Sequence, residues 1–224
     1  MPAESLVPLP DAVSFETGAA FPVQALTAYH MLFTVDRAGP GKTVLIHAAA
    51  GGVGLVAVQM AKQAGARVLG TTSSPEKARL AKEMGADEMI LYTRTNFATE
   101  VHRLTNGHGV DLVLDSVGRA TQQDSIKSLA PFGHLVSYGI ASGLPGRVDL
   151  GSLYKRSLKV SAFWLFTATR VPRIAREGWE QVLSGIVAGK LRLHVGLKLP
   201  LAQAEEAHRR IENRETVGTI LLMV

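Results

Sequence analysis

A glycine-rich segment in the first quarter of the chain carries the clearest chemical signal. Residues 48–54 read Ala-Ala-Ala-Gly-Gly-Val-Gly and directly follow the apolar run at 43–47. A strand that enters a tight turn and then a helix directs backbone N–H groups and the positive end of the helix dipole at one point. Because that arrangement binds a pyrophosphate, the segment predicts a dinucleotide site. The alternative is a strand-to-helix turn that merely needs small residues.

The segment fits the dinucleotide fingerprint G-x-G-x-x-G with one substitution. Ala49 stands at the first glycine position, where alanine is tolerated if its φ stays negative. Gly51 is expected to let a phosphate approach the backbone, and Gly54 to let the helix pack closely on the strand. Apolar residues recur at helical spacing from 53 to 64, which predicts a helix with one buried face that ends at Gly65.

The end of the next predicted strand, 67–72, bears on the choice of nucleotide. An NAD site usually places an acidic residue there to bind the ribose 2′-hydroxyl, whereas residues 71–77 read Thr-Thr-Ser-Ser-Pro-Glu-Lys. The Ser73 hydroxyl and the Lys77 ammonium can instead hold a 2′-phosphate, so we predict NADPH as the cofactor. Ser74 is expected to cap the following helix. The alternative for Lys77 is a solvated surface position.

Composition limits the class of protein. The 224 residues are 46% hydrophobic and 19% charged, which is typical of a globular domain. The absence of cysteine excludes thiolate metal sites, and the seven histidines show no ligand spacing, so no metal site is predicted. The net charge is +5, but the basic stretches lack interleaved aromatic residues, which argues against nucleic acid. Because there is no apolar run of transmembrane length and no signal-peptide pattern at 1–5, a cytoplasmic protein is expected.

Strand and helix patterns alternate after the glycine turn. Further strands are predicted at 88–92, 110–115, 133–139 and 157–164, and helices at 76–84, 96–105, 120–130 and 172–188. These repeated βα units predict an α/β fold, a doubly wound parallel sheet of Rossmann type that binds ligands beyond the C-terminal ends of its strands. Before it, 1–18 is predicted to be extended and 19–33 helical. After it, a strand (191–199), a helix (201–211) and a strand (219–224) are predicted.

The order of these motifs resembles one known family. Segments 21–29, 44–54, 72–77, 115–118, 135–139 and 200–218 occur in the order found in the zinc-independent quinone oxidoreductases of the medium-chain dehydrogenase/reductase superfamily. The resemblance implies that 1–18 is a linker from a missing N-terminal catalytic domain, which Leu6–Asp11 matches. It implies that 19–190 is the NADP-binding Rossmann domain. It identifies 191–224 as a C-terminal remnant that returns to the barrel-like catalytic domain.

The resemblance also implies which residues contact the cofactor. They are Thr27, Tyr138 and Phe163 at the nicotinamide; Gly51, Gly52 and Val53 at the pyrophosphate; Ser73 and Lys77 at the 2′-phosphate; Tyr92 near the adenosine ribose-phosphate; and Ser116 and Val117 along the adenine and ribose. For Tyr92 and Phe163 the alternative is ordinary strand packing, because aromatic residues in strands usually belong to the core. Arg214 matches a family position near the cofactor, and its alternative is exposure at a helix end.

The reaction implied by the resemblance is hydride transfer from NADPH to a quinone or an activated alkene, such as an enone or enoyl group. The position of a zinc-ligating cysteine in related dehydrogenases falls on Val23, which cannot ligate a metal. No catalytic residue is nominated, because oxyanion donors would lie in the missing domain and no Ser-His-Asp, paired-carboxylate or nucleophilic-cysteine arrangement is evident. Two alternatives remain: an enoyl reductase module of a larger synthase, and a non-catalytic NADPH-binding module with a sensor, assembly or RNA-binding role.

Members of this family commonly dimerise through the edge of the Rossmann sheet. Residues 157–163 are the best candidate for that edge. An edge strand offers unpaired N–H and C=O groups to a second copy of the chain. The sequence therefore predicts a homodimer.

Overall fold

The computed structural model describes residues 7–224. Residues 1–6, which include the start of the predicted linker and the segment inspected for a signal peptide, lie outside the described residues. Six strands form one parallel sheet: β1 (Thr43–Ile46), β2 (Arg67–Thr72), β3 (Glu88–Leu91), β4 (Val110–Asp115), β5 (Leu129–Ser137) and β6 (Lys159–Ala162). Their order across the sheet is β3-β2-β1-β4-β5-β6, which reverses direction between β1 and β4. This order confirms the doubly wound Rossmann sheet.

Helices cover both faces of the sheet. They are α1 (Phe15–Ala20), α2 (Pro22–Tyr29), α3 (Gly52–Gln63), α4 (Pro75–Glu83), α5 (Phe97–Leu104), α6 (Arg119–Ser128), α7 (Gly151–Tyr154), α8 (Leu165–Thr169) and α9 (Pro172–Val187). One core cluster joins the sheet to α2, α3 and α9, and a second joins it to α5 and α6. Burial on both faces explains why the central strands read as continuous apolar runs.

Helix α3 does not have the single buried face that its periodicity predicts. Every residue from Gly54 to Ala61 is buried. Helix α2 packs on α3, and the Gln59 side-chain amide binds the backbone N–H and C=O of Arg192 at 2.9 Å each. The prediction of one buried face is wrong, because the segments that cover the outer face are distant in the sequence.

The N-terminal region also differs from its prediction. Ser14 caps α1 by accepting a hydrogen bond from the Thr17 N–H at 3.2 Å, so a helix begins within the stretch predicted to be extended. The single helix predicted at 19–33 is instead the end of α1, then α2, then a π-helix at His30–Val35. Pro22 lies in the first turn of α2, where its missing N–H costs nothing, whereas inside one long helix it would remove a hydrogen bond.

The C-terminal residues form a small second sheet. Strands β7 (Val195–Pro200) and β8 (Thr219–Met223) pair in parallel, and a 3-10 turn (Leu201–Gln203) and α10 (Ala204–Glu212) connect them. This unit reaches the glycine turn, because the Gly218 N–H donates to the Ala50 carbonyl at 2.8 Å. The predicted order of strand, helix and strand is present, although β7 begins four residues after the predicted start at 191.

The other boundaries agree with prediction to within a few residues, with β5 as the exception. It begins at Leu129, where the helix predicted at 120–130 was expected to continue. Among the described residues, no helix has both the length and the apolar character needed to cross a bilayer.

Candidate dinucleotide site

A cavity of about 530 Å³ opens beside the C-terminal ends of β1, β2, β3 and β4. It lies where the strand order reverses, the usual ligand position in an open α/β sheet. Residues from α6, Ile211 at the end of α10, and Arg214 and Thr216 after α10 complete its walls. Of the predicted cofactor residues, those that line it are Gly51, Ser73, Lys77, Tyr92, Ser116 and Val117.

The turn after β1 places the N-terminus of α3 beside this cavity. Gly51 is the N-cap residue, with φ −81°, and no side chain caps the helix, so its first N–H groups can face a ligand. Ala49 avoids the left-handed region as expected, and the left-handed residue is Ala48, with φ 49°. A Cβ on Gly54 would overlap the Ala48 carbonyl oxygen and lie 2.8 Å from the Ala49 Cα. The predicted close packing at Gly54 is therefore confirmed.

The end of β2 brings a hydroxyl and two cations together. Ser74 caps α4 by accepting a hydrogen bond from the Lys77 N–H at 3.4 Å, as predicted. The Lys77 Nζ donates to the Arg214 carbonyl at 2.5 Å, and both residues line the cavity with Ser73. Burial and the charge of Arg214 lower the pKa of Lys77. Asp124 also lines the cavity, but its carboxylate is paired with Lys127 at 2.8 Å. This end of the cavity therefore suits an anion.

A buried chain of hydrogen bonds, here called the His47 network, contributes His47 and Thr71 to the cavity lining. The His47 ring contacts Thr71 Oγ1 through Nδ1 and Ser125 Oγ through Nε2, each at 2.9 Å. Ser125 donates to Asp115 Oδ2 at 3.0 Å. Burial lowers the pKa of His47, against the opposing effect of the Asp115 charge.

The sequence gives no sign of a Ser-His-Asp arrangement, yet these three residue types meet in the His47 network. Ser125 stands between the histidine and the aspartate and is fully buried. A hydrolytic triad needs the histidine in the middle and the serine accessible. The network therefore orients groups and does not supply a nucleophile. Spacing along the chain could not reveal it, because its members come from four different elements.

Asp115 also fixes the conformation of the segment that follows β4. Its Oδ1 accepts hydrogen bonds from the N–H groups of Val117 at 2.8 Å and Gly118 at 3.1 Å. The Thr121 hydroxyl lies 2.8 Å from Oδ2. These bonds hold Ser116 and Val117 against the cavity. The sequence placed Asp115 in a family motif but gave it no role.

A second buried chain of hydrogen bonds lies outside the cavity lining. His134 contacts Asp36 Oδ2 through Nδ1 and Ser161 Oγ through Nε2, each at 2.8 Å, and Lys42 binds Asp36 at 2.7 Å. The order matches a hydrolytic triad, but Ser161 is a ladder residue of β6 and none of the three lines the cavity. Burial alone would raise the pKa of Asp36, but the hydrogen bonds from His134 and Lys42 outweigh burial and hold it well below its usual range. These hydrogen bonds join β6, at the edge of the sheet, to the loop before β1.

The residues expected at the nicotinamide do not line this cavity. Thr27 is buried in α2, and Tyr138 and Phe163 pack against the core cluster that contains α2. The Phe163 ring lies 6.3 Å from the His30 ring, which favours the packing interpretation for Phe163. Burial raises the pKa of Tyr138 to about 12, while a hydrogen bond with Ser116 opposes this shift.

The structure also shows the surroundings of three other predicted cofactor residues, Tyr92, Gly52 and Val53. Tyr92 is 39% exposed just after β3, so the strand-packing interpretation is wrong for it. Gly52 and Val53 lie in the first turn of α3 but outside the cavity lining. A Cβ on Gly52 would lie 2.9 Å from the Gln24 Cγ and 3.0 Å from the Thr219 hydroxyl. The absence of a side chain at Gly52 therefore leaves room for the C-terminal segment to pack against the turn.

The described residues offer no ligand set for zinc. Val23, at the position of the zinc-binding cysteine, is an exposed residue of α2. Among residues 7–224, no three His, Asp or Glu side chains are grouped so that they could hold a metal ion, and the sequence has no cysteine.

Comparison with known proteins places these features in a family. The family described as zinc-binding dehydrogenase matches residues 52–184. A quinone oxidoreductase of Pseudomonas aeruginosa is 41% identical over 221 residues, which are 98% of this chain and 68% of that protein. A 2-haloacrylate reductase of a Burkholderia species is 37% identical and covers 99% of this chain, and the match spans 68% of that protein.

A solved structure agrees with both matches. The Escherichia coli quinone oxidoreductase, solved in complex with NADPH, has a TM-score of 0.92 and 37% identity over 97% of this chain and 68% of its own. The fold, the sequence identity and the position of the glycine turn thus all indicate the same family. The chain belongs to the quinone oxidoreductases of the medium-chain dehydrogenase/reductase superfamily.

Proposed function

We propose that this chain binds NADPH and takes part in zinc-independent hydride transfer to a quinone or an activated alkene. The observation that carries the proposal is the meeting of Ser73, Lys77 and Arg214 in the cavity that adjoins the α3 N-terminus. The 2′-phosphate is what distinguishes NADPH from NADH, and its charge complements these two cations. The NADPH complex of the Escherichia coli relative supports the same choice.

The residues of this chain would bind and orient the cofactor. The uncapped N-terminus of α3 would hold the pyrophosphate, while Tyr92, Ser116 and Val117 would contact the adenosine. Bound NADPH supplies the hydride. Thr27, Tyr138 and Phe163 remain proposed for the nicotinamide end. Val23 and the lack of cysteine support chemistry without zinc.

We also propose the organisation and assembly that the resemblance implies. Residues 19–190 would be the cofactor domain and 191–224 a return segment of a catalytic domain. Strand β6 lies at one edge of the sheet, which supports a homodimer through 157–163. A cytoplasmic location remains part of the proposal.

The test is a fluorescence titration of the chain with NADPH and NADH, followed by an NADPH oxidation assay with a simple quinone and an enone. We expect NADPH to bind at least about tenfold more tightly than NADH. Oxidation of NADPH with either acceptor would support the proposed oxidoreductase activity. Binding without turnover would favour the non-catalytic NADPH-binding module. Failure to bind either dinucleotide would overturn both.

A further inference from the structure

We propose that His47 is a positioning residue of the dinucleotide site, a neutral ring with its proton on Nε2 that ties the ends of β1, β2 and β4 together. The inference rests on the proposed function and deepens it. It concerns a residue that would not itself react. Its role would be to set the geometry of the two segments between which the cofactor lies.

The direction of every hydrogen bond in the His47 network follows from counting protons. Asp115 accepts from two backbone N–H groups and two hydroxyls, which is the pattern of an ionised carboxylate with no proton to offer. Ser125 therefore donates its only proton to Asp115 and must accept from His47 Nε2. A neutral ring then has a lone pair at Nδ1, which accepts the Thr71 hydroxyl.

The network holds both sides of the cavity. On one side, the His47 N–H donates to the Leu114 carbonyl at 3.0 Å, and the Ala49 N–H donates to the Thr71 carbonyl at 3.1 Å. The glycine turn thus starts from a residue fixed to both neighbouring strands. On the other side, Asp115 holds the backbone of 117 and 118. Loss of the His47 side chain would leave these backbone bonds in place. It would remove the bonds to Thr71 and Ser125 that link the two segments, and buried polar atoms would lose their partners.

The surroundings of the ring favour its neutral form. The ring faces Asp115 across Ser125, while Thr71 from β2, Ser125 from α6 and the Phe97 ring of α5, at 4.7 Å, carry no charge. The charged residues that line the same cavity are Lys77, Asp124 and Arg214. A protonated ring would donate from both nitrogens, so Thr71 could no longer donate to it. Protonation would therefore reverse one bond of the network and place a charge in a fully buried site.

Two substitutions separate positioning from simple packing. His47→Gln keeps a donor and an acceptor that can bridge Ser125 and Thr71, whereas His47→Leu keeps the volume but neither bond. We expect His47→Leu to raise the Kd for NADPH at least about tenfold and His47→Gln to stay within about threefold of wild type. His134→Gln is the matched control, since it changes a buried Asp-His-Ser chain outside the cavity lining, and its Kd should not change.

The pH dependence provides a second readout. Burial lowers the pKa of His47 below its ordinary value of about 6.5. We therefore expect wild-type affinity to be unaffected by this ring at neutral pH and to fall more steeply than that of His47→Gln at acidic pH, because only the wild type can protonate at this position. Titration of the ligand phosphate is common to both proteins and cancels in the comparison. NMR of the imidazole carbons and nitrogens in the ligand-free protein should show the neutral Nε2–H form at pH 7.

The outcomes are distinct. A folded His47→Leu that binds NADPH as tightly as wild type, identical pH profiles for wild type and His47→Gln, or a charged or Nδ1–H ring at pH 7 would each overturn the role of His47 alone. If His47→Leu does not fold, the pH profile and the NMR signal still decide. A wild type that binds no dinucleotide would overturn the proposed function and this role with it.

Discussion

Lys77 and Arg214 are 137 residues apart in the sequence and meet through one hydrogen bond at the end of β2. Burial, and after it the positive charge of Arg214, lowers the pKa of Lys77. A bound phosphate removes this penalty, whereas a ribose hydroxyl cannot. The pair therefore favours a phosphorylated ribose more than either cation would alone.

The first prediction concerns this pair. Lys77→Gln should raise the Kd for NADPH about tenfold and change the Kd for NADH by less than about threefold, because only NADPH carries the 2′-phosphate. Fluorescence titrations with both dinucleotides measure this. Lys82→Gln, on the same helix but bound to Glu88 at 3.4 Å, serves as the control and should alter neither value. Equal affinity of the wild type for NADH and NADPH would contradict the prediction.

Asp36 gives a prediction for stability against pH. Its folded pKa is held below the usual range by His134 and Lys42, so the unfolded chain binds the proton more readily. Its stabilisation is therefore complete above the unfolded pKa of about 4 and is lost as the pH falls below that value. Asp36→Asn should lower the free energy of unfolding by about 3 kcal/mol at pH 7. The difference in the free energy of unfolding between wild type and Asp36→Asn should shrink as the pH falls from about 5 to about 3, because Asp36 becomes protonated in the unfolded chain over this range.

Urea unfolding at several pH values measures this effect. Glu83→Gln is the control, because Glu83 pairs with Arg79 on the surface with side-chain exposures of 53% and 77%. That substitution should change stability by less than about 0.5 kcal/mol. A pH-independent difference between wild type and Asp36→Asn would show that the charge of Asp36 does not stabilise the fold.

At the scale of elements, the glycine turn and α3 act as one unit. The turn uses a left-handed alanine at Ala48 and an uncapped helix at Gly51. Alanine in the left-handed region is strained, so the surrounding hydrogen bonds must hold it. The helix then packs directly on the turn at Gly54. Cofactor binding and packing therefore depend on the same few residues.

The third prediction tests this dependence. Gly54→Ala would place a methyl group onto the Ala48 carbonyl and the Ala49 backbone, so α3 or the turn must move. We expect a loss of about 2 kcal/mol in the free energy of unfolding and at least about tenfold weaker NADPH binding. Gly39→Ala is the matched control, because a Cβ there would meet only the Ala64 carbonyl at 3.9 Å. Unchanged binding in a folded Gly54→Ala protein would refute the close-packing argument.

At the scale of the whole molecule, the sheet leaves β6 at an edge beside exposed aromatic residues. Trp164 and Phe166 form an edge-to-face pair at 5.4 Å just after β6, and they are 63% and 55% exposed. Exposed apolar groups next to an open strand edge are typical of an interaction surface. This combination supports the proposed homodimer.

The fourth prediction follows from that edge. Light scattering of the wild type should give about twice the monomer mass, as expected for an isologous pair. Ala162→Lys places a charge at an exposed position of β6 and should give a monomer, because charged side chains block edge pairing. Ala202→Lys, at another exposed position, should leave the mass unchanged. A monomeric wild type at the same concentration would contradict the proposal.

Much of the fold could be predicted from local patterns. The strands β1, β2 and β4, the Ser74 cap and the close approach at Gly54 follow from short-range rules of periodicity, capping and sterics, which act within one turn or strand. The errors occur where distant segments decide. Burial of α3 on all sides depends on α2 and on Arg192. The break at Pro22 is different, because the missing N–H of proline is a local signal that the prediction of one helix overlooked.

Local sequence patterns were enough to predict a dinucleotide site made of a strand, a glycine turn and a helix, and a β2 that ends without a carboxylate. These properties lie in neighbouring residues, so a linear pattern contains them. Tertiary packing brought Arg214 to Lys77, joined His47 to Ser125 and Asp115, and set Phe163 against the core cluster of α2, outside the lining of this cavity. Such contacts join residues from separate elements, and the physical reason is that packing of the sheet and its helices sets those distances.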